Sequence, residues 1–490
     1  MPDIVLATIN AKWIHPSLAL RLLKANLEAY ENRAEILEFA LRQPLTEKTG
    51  PILGAAPRIL AFSVSIWNHK ATVELLEALN KAWARAARPV IILGGPEASY
   101  LPAESALIHH ADWVVRGEGE LVFRELCGLV LENDGAYGGA SDSSAQDWTE
   151  GIKNLPSVKG VHGKLIEAHL VDTASIDPGY RLYTEEDLCR KLTYIEASRG
   201  CPFGCEFCLS SRHGDAPEPR VREFPLEPFL REMEELIRRG ARSFKFLDRT
   251  FNLSIKRCQG IMEFLLDHLK PEMYVHFEMV PARFPLELRE LLCRFPAGSL
   301  RVEVGIQTFN PHTAALIGRP SDPEGELEVL AFLRQETKAI VHADLIAGLP
   351  GEDMVSFAAG FDRLWEVRPT EIQVGILKYL PGTPIIRHNE AFGMRYALDP
   401  PYEVLETAAL SVQNLDRIKN FARFWELIVN RRAFADLGPG LFPEGEAIFS
   451  RFMALSDWLL LRFGRNWGID QKELRKALEL HQVDTPCLFP

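Results

Sequence analysis

Hydrophobic positions along the first 130 residues come in short runs separated by longer amphipathic stretches. Residues 4–8, 34–39, 59–64, 90–93 and 113–115 read as strands, and 16–27, 70–85, 103–109 and 120–131 as helices. Short apolar strands alternating with helices predict a parallel sheet covered on both faces, a doubly wound, Rossmann-like α/β domain over 1–131. Ligands of such sheets sit over the carboxyl ends of the strands. Those ends carry Thr8 and Asn10; Ser63, Ser65 and Trp67; Gly94, Gly95, Pro96 and Glu97; and Gly117, Glu118 and Gly119. No G-x-G-x-x-G follows the first strand, which speaks against a dinucleotide.

Residues 132–160 are rich in Gly, Ser, Asp and Asn and read as a linker, with a small strand pair expected over 161–171, so that 132–189 connects two domains. Strand–helix units resume over 190–380. Strands are expected at 194–197, 243–247, 274–279, 300–305, 340–346 and 371–376, with helices near 255–269, 285–294, 325–336 and 353–366 between them. Phe229, Met233, Leu236 and Ile237 form one apolar stripe on the helix after the first of these strands. Residues 381–490 read as a helical C-terminal domain whose aromatics, Phe421, Phe424, Trp425, Phe449, Phe452 and Trp458, have the spacing of a core.

At 490 residues, length alone suggests about three domains, and 47% apolar content supports buried cores. The net charge of −12, with both signs interspersed, disfavours a nucleic-acid partner. The N-terminus has an acid at position 3 and no basic segment before an apolar run, so it does not read as a signal peptide, and no apolar run reaches the length of a membrane span. A cytoplasmic protein is expected.

The eight cysteines are too few and scattered for a disulfide framework. Three of them, Cys201, Cys205 and Cys208, form a C-x3-C-x2-C run in YIEASRGCPFGCEFCLSSR, residues 194–212. Three thiolates so spaced can hold three irons of a 4Fe–4S cluster, leaving the fourth open to a small ligand. The other reading is a zinc site with His213 as fourth ligand, in the charged loop RHGDAPEPR, although no second pair of ligands follows. Cys127, Cys258 and Cys293 read as small apolar fillers of helices. Cys189 stands twelve residues ahead of Cys201, within approach of such a cluster but without a partner Cys, and Cys487 completes the set.

The cysteine run, with aromatic Phe207 before its third Cys, closely resembles the radical S-adenosylmethionine (SAM) superfamily. The resemblance implies a partial (β/α)6 barrel over 190–380 and SAM on the open iron. It further implies that Asp248, in DRTFN where the family commonly has Gly-Gly-Glu, meets the cofactor's amino group. Glu303 and Gln307 of VEVGIQT would meet the ribose, and Gly348 of ADLIAGLPGED the adenine. Glu303 has the alternative of an interior salt bridge with Arg283 or Arg301, and Gly348 of a turn.

Ahead of such a core, GGPEAS and VVRGEGE resemble the two loops of the cobalamin-binding domain in cobalamin-dependent radical SAM enzymes. Mutase-type relatives carry D-x-H-x-x-G, whose His ligates cobalt. Here Trp13 and Leu18 replace the Asp and Gly around His15, so no protein His is expected on the metal. Trp67 is expected to pack in the core or, failing that, to wall the lower face of the cobalamin.

The resemblance implies a methyltransferase acting on an unactivated carbon, with the cluster, SAM and cobalamin as cofactors and a flavodoxin or ferredoxin as electron donor. The substrate, small molecule or peptide, is not legible. A cyclase, oxidase or rearrangement enzyme without methyl transfer, and a non-catalytic cobalamin or redox sensor, stand as alternatives.

Overall fold

The computed structural model describes residues 1–83, 88–132, 145–211, 221–319, 321–441 and 447–484. The chain divides into two compact units. The first comprises Met1–Gly200, Asp215–Asp248 and Leu380–Gly382; the second comprises Cys201–Gly214, Arg249–Tyr379 and Thr383–Pro490.

In the first unit, β1 (Ile4–Asn10), β2 (Ala34–Ala40), β3 (Ile59–Ser63), β4 (Val90–Gly94), β5 (Trp113–Arg116), β6 (Val158–His162) and β7 (Leu165–Ala168) form one sheet in the order β2-β1-β3-β4-β5-β7-β6. All neighbours run parallel except β6 and β7. Alternate side chains serve opposite faces. Ile4, Leu6, Ile59, Ala61, Ile92 and Val115 pack with Leu20, Val122, Phe123 and Leu126 of helices Leu18–Ala25 and Glu120–Glu132. Val5, Ala7, Leu60, Phe62, Ile91 and Leu93 pack on the other face with Ile52, Leu75, Leu79 and Leu107. The sheet is doubly wound, and the strand order reverses at β1.

Helix Leu45–Ala55 went unread because Gly50, Pro51 and Gly54 interrupt its pattern. The stretch with linker composition contributes more than a connection. Helix Ala145–Lys153 seats Ile152 in the core, and β6 and β7 extend the sheet instead of standing apart. The same unit holds the parallel pair β8 (Thr193–Ile195) and β11 (Ser243–Phe246). It also holds the antiparallel pair β9 (Ser198–Gly200) and β10 (Val221–Glu223), which flank the cysteine loop in sequence.

In the second unit, β12 (Tyr274–Met279), β13 (Leu300–Gln307), β14 (Ile340–Ala347) and β15 (Glu371–Ile376) lie side by side in parallel. Burial along β13 and β14 alternates residue by residue. Val302, Val304, Ile306, Val341, Ala343 and Leu345 are buried, whereas Arg301, Glu303, Gln307, His342 and Asp344 project from the other face. Helices Val412–Trp425 and Ile448–Phe463 carry the expected aromatic core. Phe421, Trp425 and Phe449 surround Phe361 of helix Met354–Val367, at centroid distances of 5.0, 4.8 and 5.7 Å. Asn430 pairs with both backbone groups of Ile372, at 3.1 and 3.0 Å, and so blunts the β15 edge. Trp458 is only half-buried. Cys127 and Cys258 are buried fillers, but Cys293 is exposed because it falls on the outer side of its helix. Cys487 and His213 lie outside the described residues.

Candidate functional site

In the first unit a cavity of about 290 Å³ opens at the carboxyl ends of β3, β4 and β5. Its walls are largely apolar, from Leu18, Leu22, Phe62, Ile92, Val115 and Phe123. Of the expected strand-end residues it gathers Ser63, Gly94, Gly95, Gly117, Glu118 and Gly119. Gly95 is held at φ +96°, and a Cβ there would stand 2.6 Å from Val64 O and 2.8 Å from Val64 N. Only glycine lets the chain turn this tightly over the strand end.

The other expected residues do not line the cavity. Thr8 Oγ1 donates to Ser63 O at 2.9 Å. Asn68 Nδ2 reaches Ile9 O at 3.0 Å, and its Oδ1 accepts from Ser65 N at 2.9 Å. Asn10 binds Glu38, and Glu97 meets His69 Nδ1 at 2.7 Å. These four polar residues brace the strand ends. Pro96 is exposed. Trp67 is 54% exposed, which overturns its expected place in the core: it sits in the turn after β3. His15 Nδ1 is engaged with Tyr194 Oη at 2.8 Å.

The acidic end of the cavity is tied to the strands beside the cysteine loop. Arg199 of β9 meets Glu120 and Glu196, both at 2.7 Å, and Glu118 at 3.8 Å. Arg222 of β10 grips both oxygens of Glu118. Burial pushes Glu196 up, and Arg199 opposes the shift. Asp248 is buried, and its oxygens accept from Ala197 N at 2.9 Å and Ser198 Oγ at 2.5 Å. Burial pushes its carboxyl up to about 6 against those two hydrogen bonds. The residue expected at a ligand's amino group thus anchors the chain three residues before Cys201.

In the second unit Cys201, Cys205 and Cys208 share one loop. Cys205 is buried, and the other two thiols are partly exposed. Burial raises the Cys201 and Cys205 thiols; Thr250 and Arg249 counter this at Cys201, and Arg319 at Cys205. Ser211 Oγ lies 2.7 Å from the carbonyl oxygens of both Cys205 and Cys208, its one proton shared between them, closing the loop on itself. Among the described residues no three His, Cys, Asp or Glu side chains converge on one ion. Phe207 packs with Ile317, Leu349, Ile385 and Leu415.

On the polar face of the strands, Glu303 lies 2.9 Å from His276 Nε2. His342 stands between Asp344 and Glu371, 3.1 Å from each, and is pushed up to about 10: burial lowers it, but both carboxylates raise it further. Gln307 has φ +71° at a register shift in β13. A bulge and a left-handed non-glycine residue at a strand end re-aim that side chain at a backbone cost. Gly348 has φ +88°, and a Cβ there would overlap Val404, so the turn reading accounts for it.

The B12 binding domain model matches residues 4–127, and the Radical SAM superfamily model matches 195–363. The chain thus joins a B12-binding match and a Radical SAM match in one polypeptide. It is 26% identical over 247 residues to the cobalamin-dependent radical SAM methyltransferase TokK of Streptomyces tokunonensis, a match over 48% of this chain and 34% of that protein. The chain therefore spans about a third of that relative's length. The radical SAM methyltransferase TsrM of Kitasatospora setae, solved with cobalamin and a 4Fe–4S cluster, superposes with a TM-score of 0.61 at 18% identity, covering 98% of this chain and 100% of that one. The radical SAM enzyme OxsB, solved with aqua-cobalamin and SAM, also gives 0.61, at 14% identity over 99% and 75% of the two chains. These two likenesses establish the fold, including the partial barrel.

Sequence reasoning missed the cavity wall from Leu18, Leu22 and Phe123, although the apolar stripe of helix Leu18–Ala25 carries that signal. It also missed Arg249 and Arg319, single cations whose proximity to the thiols depends on the fold.

Proposed function

We propose that this chain is a cobalamin-dependent radical SAM enzyme that methylates an unactivated carbon. One observation carries the reading: a single chain has both a three-thiol loop without a fourth Cys and a glycine-floored cavity over a doubly wound sheet. When bound, the cluster with SAM supplies a carbon-centred radical, and cobalamin supplies the methyl group.

Cys201, Cys205 and Cys208 would hold three irons, with Arg249 and Arg319 offsetting their negative charge. Gln307 and Glu303 would orient SAM from the polar strand face. Gly94, Gly95, Gly117 and Gly119 would let cobalamin approach the backbone, while Leu18, Leu22 and Phe123 exclude water around it. His15, whose Nδ1 is bonded to Tyr194, has no assigned role toward cobalt in this reading. In this reading 1–131 is the cobalamin domain, 132–189 the connection, 190–380 the barrel and 381–490 a helical C-terminal domain. Among the described residues no helix is long and apolar enough to cross a membrane. A cytoplasmic setting with flavodoxin or ferredoxin as electron donor suits a cluster that must be reduced.

The test is anaerobic reconstitution with iron, sulfide and hydroxocobalamin, followed by turnover with a candidate metabolite pool. Methylation yields S-adenosylhomocysteine together with 5′-deoxyadenosine. 5′-Deoxyadenosine alone, with an unmethylated product, would replace this reading by a radical cyclisation, oxidation or rearrangement.

A further inference from the structure

The loop that carries the three cysteines is gripped at its middle residue by a segment more than 170 positions later in the chain. Glu206 stands between Cys205 and Cys208 and is one of the most buried carboxylates of the second unit, 6% exposed. Its backbone N–H donates to Ile317 O at 3.0 Å, and its carbonyl accepts from Ile385 N at 3.1 Å. Its side chain turns toward the same late segment: Oε2 accepts from His388 Nε2 at 2.9 Å, and Oε1 from the Arg387 guanidinium. Next to it, Gly318 at φ +66° lies so close that a Cβ would be 2.8 Å from Gly204 O. Phe207 and Ile385 share one apolar cluster with Ile317, Leu349 and Leu377. The loop is thus fixed by two backbone bonds, a doubly bonded carboxylate and an aromatic anchor, and the turn Pro384–His388 supplies half of these contacts.

From this geometry we infer that the turn Pro384–His388 is a positioning element for the iron–sulfur loop, with His388 its principal residue, acting through Glu206. The inference rests on the cluster reading above. A cube bound by three thiolates needs those thiolates held at fixed spacing before the metal arrives, and a loop held only at its ends would not provide this. Burial distinguishes the two side chains of the clamp. His388 and Glu206 have side-chain exposures of 9% and 8%, so their bond is shielded from water, whereas Arg387 is 63% exposed and its pairing is screened. The first residues after the barrel therefore belong to the cluster site. The aromatic helices further on pack against helix Met354–Val367.

The experiment compares wild type, His388→Ala, His388→Gln and Arg387→Ala, each purified full-length and reconstituted anaerobically. It measures iron and sulfide per chain, the electron paramagnetic resonance spectrum of the reduced cluster with and without SAM, and hydroxocobalamin binding as a check on the first unit. His388→Ala is expected to lose at least half of its cluster, or to keep it with an altered spectrum and about tenfold weaker SAM binding. His388→Gln, which restores a donor at the same reach, should recover most of the signal, and Arg387→Ala should stay near wild type. A His388→Ala protein with wild-type iron, spectrum and SAM affinity would overturn the clamp, as would a Gln variant no better than Ala. If His388→Ala does not fold, as circular dichroism and size-exclusion chromatography reveal, the comparison of His388→Gln with Glu206→Gln decides: matched wild-type spectra in both overturn the inference, and loss confined to Glu206→Gln supports it. A wild-type protein that binds no 4Fe–4S cluster would instead defeat the reading beneath it.

Discussion

Two adjacent glycines separate what the cofactor needs from what the fold needs. At Gly95 an alanine must adopt φ +96°, in the left-handed half of the map, at a cost of about 1–2 kcal/mol. Its methyl would also press on the Val64 backbone, at 2.6 Å from O and 2.8 Å from N, which no side-chain rotation relieves. The loop would have to move, loosening the bonds from Val64 N to Gly94 O and from Glu97 N to Val64 O, at 2.8 and 3.1 Å. Losing one of these adds about 1 kcal/mol, so Gly95→Ala should cost the first unit about 3 kcal/mol. At Gly94 a methyl meets only Val115 O, at 3.7 Å, and the backbone conformation is ordinary. Gly94→Ala should leave stability within about 0.5 kcal/mol of wild type while intruding on the cavity that Gly94 lines.

The assay is thermal unfolding of the cofactor-free protein, paired with equilibrium dialysis against hydroxocobalamin. Gly94→Ala is expected to unfold like wild type yet bind at least tenfold more weakly, a difference of about 1.4 kcal/mol. Gly95→Ala should lose both stability and binding. Wild-type affinity in Gly94→Ala would refute the assignment of this cavity to the cofactor. Unchanged unfolding of Gly95→Ala would refute the steric reasoning.

Replacing Cys201, Cys205 or Cys208 singly by Ala should abolish SAM cleavage and the brown colour of the reconstituted protein; four irons per chain in the triple variant would contradict the site. Asp248 gives a pH signature. Its folded value of about 6 exceeds the ordinary 3.8, so its contribution favours folding fully below pH 4 and is lost as pH rises through 6, by about 3 kcal/mol in all. In Asp248→Asn, that slope should vanish from denaturant midpoints measured between pH 4 and 7. Arg199→Ala leaves Glu120 and Glu196 buried without their cation and should destabilise the first unit by about 3–5 kcal/mol, read by urea unfolding; a change under about 1 kcal/mol would show that water replaces the guanidinium.

What the sequence disclosed was local. The cysteine spacing, the glycine-rich strand ends and the alternation of apolar runs each lie within about twenty residues, and the strands of both units formed close to where the pattern put them. Helix Leu45–Ala55 hid behind Pro51 and two glycines, because tertiary packing of Ile52 outweighs its poor propensity. Glu303 was expected at the ribose, with a salt bridge to an arginine as the alternative; its neighbour His276 comes from the adjacent strand, and only the register of β12 and β13 identifies it. The same holds for Glu206 and His388, which are 182 positions apart. Composition misled between 145 and 160, where polar residues conceal a helix held by Ile152 and the start, at Val158, of the strand pair expected over 161–171.

The polar residues at the strand ends of the first unit suggest how the site would hold its ligand. Thr8, Ser65, Glu97 and Glu118 looked like cofactor contacts because polar residues at strand ends usually are. Each has a partner within the protein: Ser63 O, Asn68, His69 and Arg222. Their bonds fix the turns, and the turns present glycine backbone and the apolar chains of Leu18, Leu22, Phe62 and Phe123 to the cavity. Such a wall grips by shape and by exclusion of water more than by charge. A large, mostly uncharged ligand can then be held firmly even though the nearest charged groups, Glu118 and Glu120, are committed to Arg222 and Arg199. Because those arginines sit on β9 and β10, the acidic loop is also tied to that antiparallel pair.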